Sequence, residues 1–144
     1  MQISTRTRYG VRLLMELSLH YNEGYIQLSE ISKAQGISLK YLEQIIRILR
    51  TGGLVLSQRG AQGGYILSRR PEQITMKEVI EKLEGSLELV PCHKKEDCKR
   101  LSVCAASLFW HKLSGSISST LSSTTLADLA EETRTLNHKV NYAI

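Results

Sequence analysis

The stretch Leu28-Ser29-Glu30-Ile31-Ser32-Lys33-Ala34-Gln35-Gly36-Ile37-Ser38-Leu39-Lys40-Tyr41-Leu42-Glu43-Gln44-Ile45-Ile46-Arg47-Ile48-Leu49-Arg50 decides the fold. Its first part predicts a short helix over Leu28 to Gln35, with Leu28 and Ile31 as apolar contacts and Gly36 as the turn. Ser38 can cap a second helix in which Leu39, Leu42, Ile45, Ile46 and Leu49 form one apolar stripe. Lys40, Tyr41, Glu43, Gln44 and Arg47 project from the other side. Two helices joined by a tight glycine-containing turn, the second bearing long hydrogen-bonding side chains, make a helix-turn-helix arrangement. A helix in a major groove needs donors and acceptors that match base edges, and Ser38, Lys40, Tyr41 and Gln44 supply them. A merely solvated face has the same polarity, so the flanking sequence has to discriminate.

Gly52-Gly53 ends the second helix. Beyond it, Leu54 to Gln58 and Tyr65 to Ser68 are short aliphatic-rich runs separated by Arg59-Gly60-Ala61-Gln62-Gly63-Gly64, which predicts a β-hairpin. The glycines permit positive φ and a close approach of the backbone to another surface. Arg59 at the tip suits a phosphate or a narrow minor groove. A glycine-rich tip alone is often only a flexible turn; directly behind a helix-turn-helix it reads as a wing.

On the other side, Gly10, Leu13, Leu14, Leu17 and Tyr21 recur at three- and four-residue steps, with Arg8, Arg12 and Glu16 opposite, predicting an amphipathic helix from Arg8 to Tyr21. After Pro71, Thr75-Met76-Lys77-Glu78 reads as a capping box in which Glu78 reaches back, with Ile74 and Val79 stapling the start of the helix. Met76, Val79, Ile80 and Leu83 form the core stripe, Met76 as packing, and Gly85 suits the C-terminal cap. From Ser107, the residues Trp110, Leu113, Ile117 and Leu121 predict a long helix with one apolar seam. Small residues between them (Gly115, Ser116, Ser118, Ser119) suit antiparallel pairing with a second copy. Thr124 or Thr125 caps one last short helix through Glu132, and the tail Asn137 to Ile144 carries no readable function.

The chain has 144 residues, 42% of them hydrophobic, consistent with one ordinary soluble domain. No apolar run approaches the roughly 20 residues of a membrane helix. Glu16 interrupts the run Leu13 to Leu19 and no small-residue cleavage site follows, which argues against a signal peptide and for the cytoplasm. Residues 1–70 hold ten Lys/Arg against four Glu, a net +6, whereas residues 71–144 hold nine against ten. The asymmetry points to a polyanion-binding half.

Cys92, Cys98 and Cys104 form a C-x5-C-x5-C array in a charged loop. An odd number of clustered thiols argues against a disulfide scaffold and for metal or thiol chemistry. Structural zinc usually shows a tighter cysteine pair, so the even spacing favours an iron–sulfur cluster. Zinc completed by His93 or His111, thiols activated by Lys94, Lys95 and Lys99, and cysteines without chemistry remain open. No nucleotide-binding glycine loop or nucleophile–base pair is present, so an enzyme is not expected, although an iron–sulfur carrier or small redox enzyme is the competing class.

Over nearly its whole length the chain resembles the winged-helix regulator family that includes IscR, NsrR and CymR. The resemblance rests on Ile3-Ser4-Thr5-Arg6-Thr7-Arg8-Tyr9-Gly10, on Ile37 to Gln44, and on the wing Arg59 to Tyr65. It implies a homodimer whose recognition helices enter successive major grooves of a partly palindromic operator while the wings reach minor grooves. Ser38, Tyr41 and Gln44 match positions used on base edges; Arg59 and Gly60 match wing contacts. Cys92, Cys98 and Cys104 match the cluster ligands of the IscR and NsrR branches, while the CymR branch lacks them. The fourth ligand departs from the pattern. IscR-like proteins use a His three residues after the last Cys, where this chain has Ser107, and NsrR-like proteins can use an acidic residue of the partner's first helix, where it has Arg8. His111, His93, Glu96 and Asp97 are the remaining candidates.

The fold expected is therefore mainly α, an α+β winged helix-turn-helix. Residues 1–85 form the DNA-binding domain, 86–104 the cysteine loop, 105–135 the dimerisation helix with a short last helix, and 136–144 a tail. The function expected is a dimeric, sequence-specific DNA-binding regulator, a repressor by preference, controlled by an iron–sulfur cluster sensing iron, redox state or nitric oxide. A two-iron cluster is favoured over a four-iron one, with the fourth ligand unknown. The alternative is a winged-helix regulator without a cluster, controlled by thiols, zinc or a protein partner.

Overall fold

The computed structural model describes residues 2–91 and 98–142. Helix α1 (Thr5–Leu19) begins before the predicted Arg8 because two groups cap it. Ser4 Oγ accepts the N–H of Thr7 at 3.2 Å, and the Ser4 N–H donates to Glu84 Oε1 at 2.6 Å. Glu84 thus does for α1 what the glutamate of a capping box does, from 80 residues away. Hydrogen bonds from Ser4 and Thr7 hold its carboxyl below the usual carboxylate range.

Helices α2 (Leu28–Gln35) and α3 (Leu39–Thr51) follow as predicted, with Gly36 between them in the left-handed region and Ser38 as the α3 N-cap. Leu42, Ile45, Ile46 and Leu49 of α3 are buried against Leu13, Leu14 and Leu17 of α1 and Ile31 of α2. Leu39 departs from the predicted stripe: at the first turn of α3 it overhangs the core and is 41% exposed.

The hairpin pairs β1 (Val55–Gln58) with β2 (Gly64–Leu67) antiparallel, Val55 opposite Leu67 and Gln58 opposite Gly64. Of β1 only Val55 is buried, so the hairpin leaves the body as an arm. Its root is tied down by Ile26, whose N–H donates to Tyr65 O at 3.0 Å while Tyr65 N–H donates to Ile26 O at 2.8 Å. The close approach anticipated from the glycines occurs there. Gly64 has φ +144°, and a Cβ on it would lie 2.3 Å from Ile26 O.

Helix α4 (Met76–Glu84) is capped by Thr75 Oγ1, which accepts the Glu78 N–H at 3.3 Å, and ends at Gly85. The reciprocal half of the capping box does not form, because the Glu78 carboxylate is held by the Arg69 guanidinium at the foot of the wing. Met76, Val79, Ile80 and Leu83 are buried, so Met76 packs as expected. Helix α5 (Ala105–Ser123) carries Trp110, Leu113, Ile117 and Leu121 half-buried on one side and packs on α4.

The last helix is longer than predicted. α6 (Leu126–Tyr142) runs ten residues past Glu132 into the segment expected to be a tail. It packs against α1 and buries Leu126 and Ala130. Two backbone bonds splice it to the start of α4: Met76 N–H to Thr124 O at 2.8 Å and Leu126 N–H to Ile74 O at 3.0 Å. Asp128 caps it by accepting from the N–H and hydroxyl of Thr125, both at 2.7 Å. Among the described residues no helix is long and apolar enough to cross a membrane.

Two outcomes follow. Gly64→Ala is expected to lower stability by about 1–3 kcal/mol, because the new Cβ meets Ile26 backbone in a conformation L-residues rarely adopt; chemical denaturation measures it. His20, at the end of α1, bonds Glu23 Oε2 at 2.6 Å and lies 3.4 Å from Glu16 Oε1. The bond to Glu23 raises its pKa above the ordinary 6.5 against a smaller desolvation, and the charges of Glu23 and Glu16 add to the rise. A raised folded pKa stabilises fully below pH 6.5 and the gain is lost as pH climbs through the folded value. With the side chain 45% exposed, screening limits the effect to about 1 kcal/mol or less. His20→Gln is expected to flatten that part of the stability profile between pH 6 and 8.

Candidate nucleic-acid interface and cysteine site

The exposed side of α3 presents Lys40 and Gln44 one helical turn apart, both exposed. Ser38 stands at the head of the helix, where its Oγ accepts the Tyr41 N–H at 3.3 Å while its O–H stays free to donate outward. Tyr41 differs from the sequence expectation. Instead of projecting beside Lys40, it is half-buried against the core and meets Tyr9 of α1 edge to face, centroids 5.8 Å apart at 82°.

Behind this contact stands a network the sequence did not reveal. The Arg12 guanidinium lies 5.5 Å from the Tyr9 ring centroid, its Nε donates to Gln35 Oε1 at 2.9 Å, and its Nη2 donates to Gln35 O. Gln35 Nε2 in turn donates to Glu16 Oε2 at 2.7 Å. The last residue of α2 is thereby clamped to α1, and α1 is clamped to the first turn of α3. Arg12 and Glu16, one turn apart on α1, were readable only as its polar side; that Gln35 fits between them is a tertiary fact.

At the wing, Arg59 is exposed, and Gly60 beside it has φ +110°, a left-handed geometry that turns the chain. Gly63 N–H closes the turn on Gly60 O at 3.0 Å, and Gln27 Nε2 braces the loop on Ala61 O at 3.4 Å. Ser38, Lys40, Gln44, Arg59 and Gly60 thus lie at the exposed helix and wing, while Tyr41 lies at their inner margin.

The cysteine array is partly in view. Cys92, with His93, Glu96 and Asp97, lies outside the described residues. Cys98 and Cys104 are half-buried free thiols. Between them a short 3₁₀ turn, Leu101–Val103, is set by Leu101 N–H donating to Cys98 O at 3.2 Å and Val103 N–H to Arg100 O at 3.1 Å. Cys104 is the N-cap residue of α5, yet its sulfur makes no capping bond. The Cys104 side chain therefore stands at the positive end of the α5 dipole, a place suited to a metal-bound sulfur. Among the described residues no three His, Cys, Asp or Glu side chains gather for a metal ion.

The fourth-ligand candidates are placed as follows. Ser107 is buried and its Oγ bonds Cys104 O at 2.7 Å and Leu101 O at 3.4 Å. Its hydroxyl proton is therefore engaged in bracing the start of α5. Arg8 is exposed and bonds Thr5 Oγ1. His111 lines a groove between α4 and α5 with Lys77, Glu81 and Glu88.

Residues 3–132 match the family described as Rrf2, iron-dependent transcriptional regulator. The chain belongs to the Rrf2 family. It is 40% identical over 129 residues to the HTH-type transcriptional regulator IscR of Aliivibrio salmonicida, covering 90% of this chain and 77% of that protein. Among solved structures it is similar to IscR of T. potens, with a TM-score of 0.75, 40% identity and coverage of 92% and 88%. It is also similar to CymR, the global cysteine regulator of B. subtilis, with a TM-score of 0.77, 36% identity and coverage of 92% and 98%. The Rrf2 chain described here is thus an IscR-like transcriptional regulator with a winged-helix fold, and its relatives are regulators rather than enzymes.

Gln44→Ala is expected to reduce discrimination between a preferred operator and one mismatched base pair by about 1–3 kcal/mol. Arg59→Ala is expected to weaken binding across sequences and to lower the salt slope by about 1. Fluorescence anisotropy over a salt series reads both; wild-type behaviour in both variants removes the recognition assignment.

Proposed function

We propose that this Rrf2 chain acts as a homodimer that binds operator DNA as a repressor, its affinity set by an iron–sulfur cluster held by Cys92, Cys98 and Cys104. The observation that carries the reading is the pairing of an exposed Lys40–Gln44 face and Arg59 wing with uncommitted thiols at the start of α5. Ser38, Lys40 and Gln44 are assigned to the major groove, with the half-buried Tyr41 at its margin, and Arg59 and Gly60 to the minor groove. Residues 1–85 are assigned to DNA binding, 86–104 to cluster binding and, within 105–135, α5 to dimerisation, while α6 braces the first of these.

Dimerisation is supported by the short turn before α5 and by the first turns of that helix. Val103, Leu108 and Phe109 are 75%, 73% and 57% exposed beside the half-buried Trp110, an apolar surface that a second copy would cover. A symmetric pair would set the two recognition helices about 34 Å apart, one turn of duplex.

When bound, a cluster supplies a centre responsive to iron, oxidants and nitric oxide. The protein's part is mechanical. Cys98 and Cys104 flank the turn that launches α5, and Ser107 pins that launch through the Cys104 carbonyl. Holding both sulfurs at one point fixes the α5 start relative to α4, and with it the separation of two recognition helices in a dimer. A two-iron centre is the favoured type. The likeness to CymR, whose branch lacks these cysteines, supports a second reading, a winged-helix regulator that works without a cluster and is controlled by thiols, zinc or a protein partner.

Anaerobically purified protein is expected to be brown and to contain iron and sulfide, and Cys98→Ala is expected to be colourless with an unchanged circular dichroism spectrum. A wild type that is iron-free after reconstitution, yet binds operator with thiol-sensitive affinity, supports the second reading.

A further inference from the structure

Four arginines of the N-terminal half are engaged within the molecule. Arg8 bonds Thr5, Arg12 bonds Gln35, Arg69 pairs with Glu78 and Arg70 with Glu72. Arg47 and Arg50 of α3 are different. Both are exposed, and among the described residues neither lies within ion-pair distance of a carboxylate. They sit on the side of α3 that faces the wing, lining a cleft of about 200 Å³ with Ile46, Glu43 and Tyr65 of β2. Arg50 Nη1 reaches Ser57 Oγ of β1 at 3.5 Å, so its guanidinium spans from helix to wing with most of its donors unused. Tyr65 is held from behind by its backbone exchange with Ile26, which makes the far wall of the cleft rigid.

We propose that this cleft is a phosphate clamp for the duplex backbone, in which Arg50, aided by Arg47, holds one phosphodiester between the recognition helix and the wing. The proposal rests on the DNA-binding reading above and deepens it. A planar guanidinium with parallel free donors suits a phosphate's two non-bridging oxygens. Placement supports the same ligand: an α3 seated in a major groove with the wing at the next minor groove has a backbone strand crossing between them, over this cleft. Glu43 also lines the cleft, but Arg50 lies about 10 Å further along the helix axis, so the anion is favoured at the Arg50 end. The clamp reads no sequence; it fixes the register in which Gln44 and Arg59 meet the grooves.

The test is a salt titration of binding to a mixed-sequence duplex by wild type, Arg50→Gln, Arg47→Gln and Arg50→Lys. Losing one phosphate contact per protomer is expected to lower the log–log salt slope by about 0.9 per protomer for Arg50→Gln. Per protomer, its affinity deficit is then about 3.5-fold larger at 50 mM than at 200 mM salt. Arg47→Gln shifts the slope in the same direction by less. Arg50→Lys keeps most of the slope while losing affinity, because a point charge replaces a two-pronged donor. Arg70→Gln, whose partner is Glu72, is expected to match wild type. Both clamp residues are exposed, and thermal melts confirm that the variants fold. A wild-type slope and affinity in Arg50→Gln overturns the clamp, as does an equal loss in Arg70→Gln, which would make the effect one of net charge. A wild type that binds no duplex at low salt overturns the DNA-binding reading itself.

Discussion

At Gly10 three helices come so close that only glycine fits without movement. A Cβ there would stand 2.6 Å from Leu83 Cδ1 of α4 and 3.4 Å from Ile45 Cγ2 of α3. The buried leucines of α1 then reach the inner face of α3, and everything on the outer face of α3 takes its direction from that seat. Close packing of this kind is stiff: displacing α3 would open a void or force a clash at Leu83. Tyr9 and Arg12, on either side of Gly10, add a lateral restraint through Tyr41 and Gln35. The recognition helix is thus fixed both from below, by aliphatic contact, and from its first turn, by an aromatic edge.

The wing depends on a second constraint, the backbone exchange between Ile26 and Tyr65. A two-stranded hairpin is marginal by itself in water. Three things make this one an arm of fixed direction: Val55 and Leu67 buried at its root, the Ile26 bridge beside it, and the Arg69–Glu78 ion pair at its foot. The ion pair also explains why Thr75 and Glu78 do not form a reciprocal box. A carboxylate offered a guanidinium makes the stronger, charge-assisted bond, and the Thr75 segment is already engaged in the backbone splice to Thr124 and Thr125.

What the sequence made legible was local. α2, its glycine stop, the Ser38 cap and the buried α3 stripe all follow from periodicity and capping within a few residues. Of what escaped, three residue-level points are instructive. Tyr41 shares a flank with Ile45 and Ile48, at steps of four and three, so it lies at the edge of the stripe; its polar hydroxyl made it look like a member of the outer face. Leu39 has stripe spacing but sits where the helix overhangs the core. The length of α6 was the most recoverable: after Gly115 the chain has no glycine and no proline, so nothing in it terminates a helix at Glu132. That α6 folds back onto α1 was not recoverable, because Leu126 and Ala130 are no more apolar than the exposed Leu136 and Val140. The cysteine spacing raised the expectation of a site, but the setting of Cys104 at a helix start without a side-chain cap is visible only in three dimensions.

That setting matters because the elements between the thiols and α3 are in continuous contact. Cys104 begins α5, α5 packs along α4, and Leu83 of α4 rests on Gly10 and beside Ile45 of α3. Coupling between distant sites needs elements that move as bodies rather than ones that absorb strain. α4 meets this condition: its N-terminus is spliced to α6, and its C-terminal Glu84 caps α1. A shift of the α5 start therefore has two outlets. It can carry α4 with it, which disturbs the seat of α3, or it can slide α5 over α4 and change how α5 meets a second copy. The α4–α5 surface offers less resistance than the Gly10 contact. It is an open groove, lined by the small residues Gly85, Ser86, Ser114, Gly115 and Ser118 together with the longer Lys77, Glu81, Leu87, Glu88, His111 and Ile117. Sliding is the cheaper motion, so in the proposed dimer a change at Cys98 and Cys104 would act by altering the relation between the two DNA-binding units, while each recognition helix keeps its place.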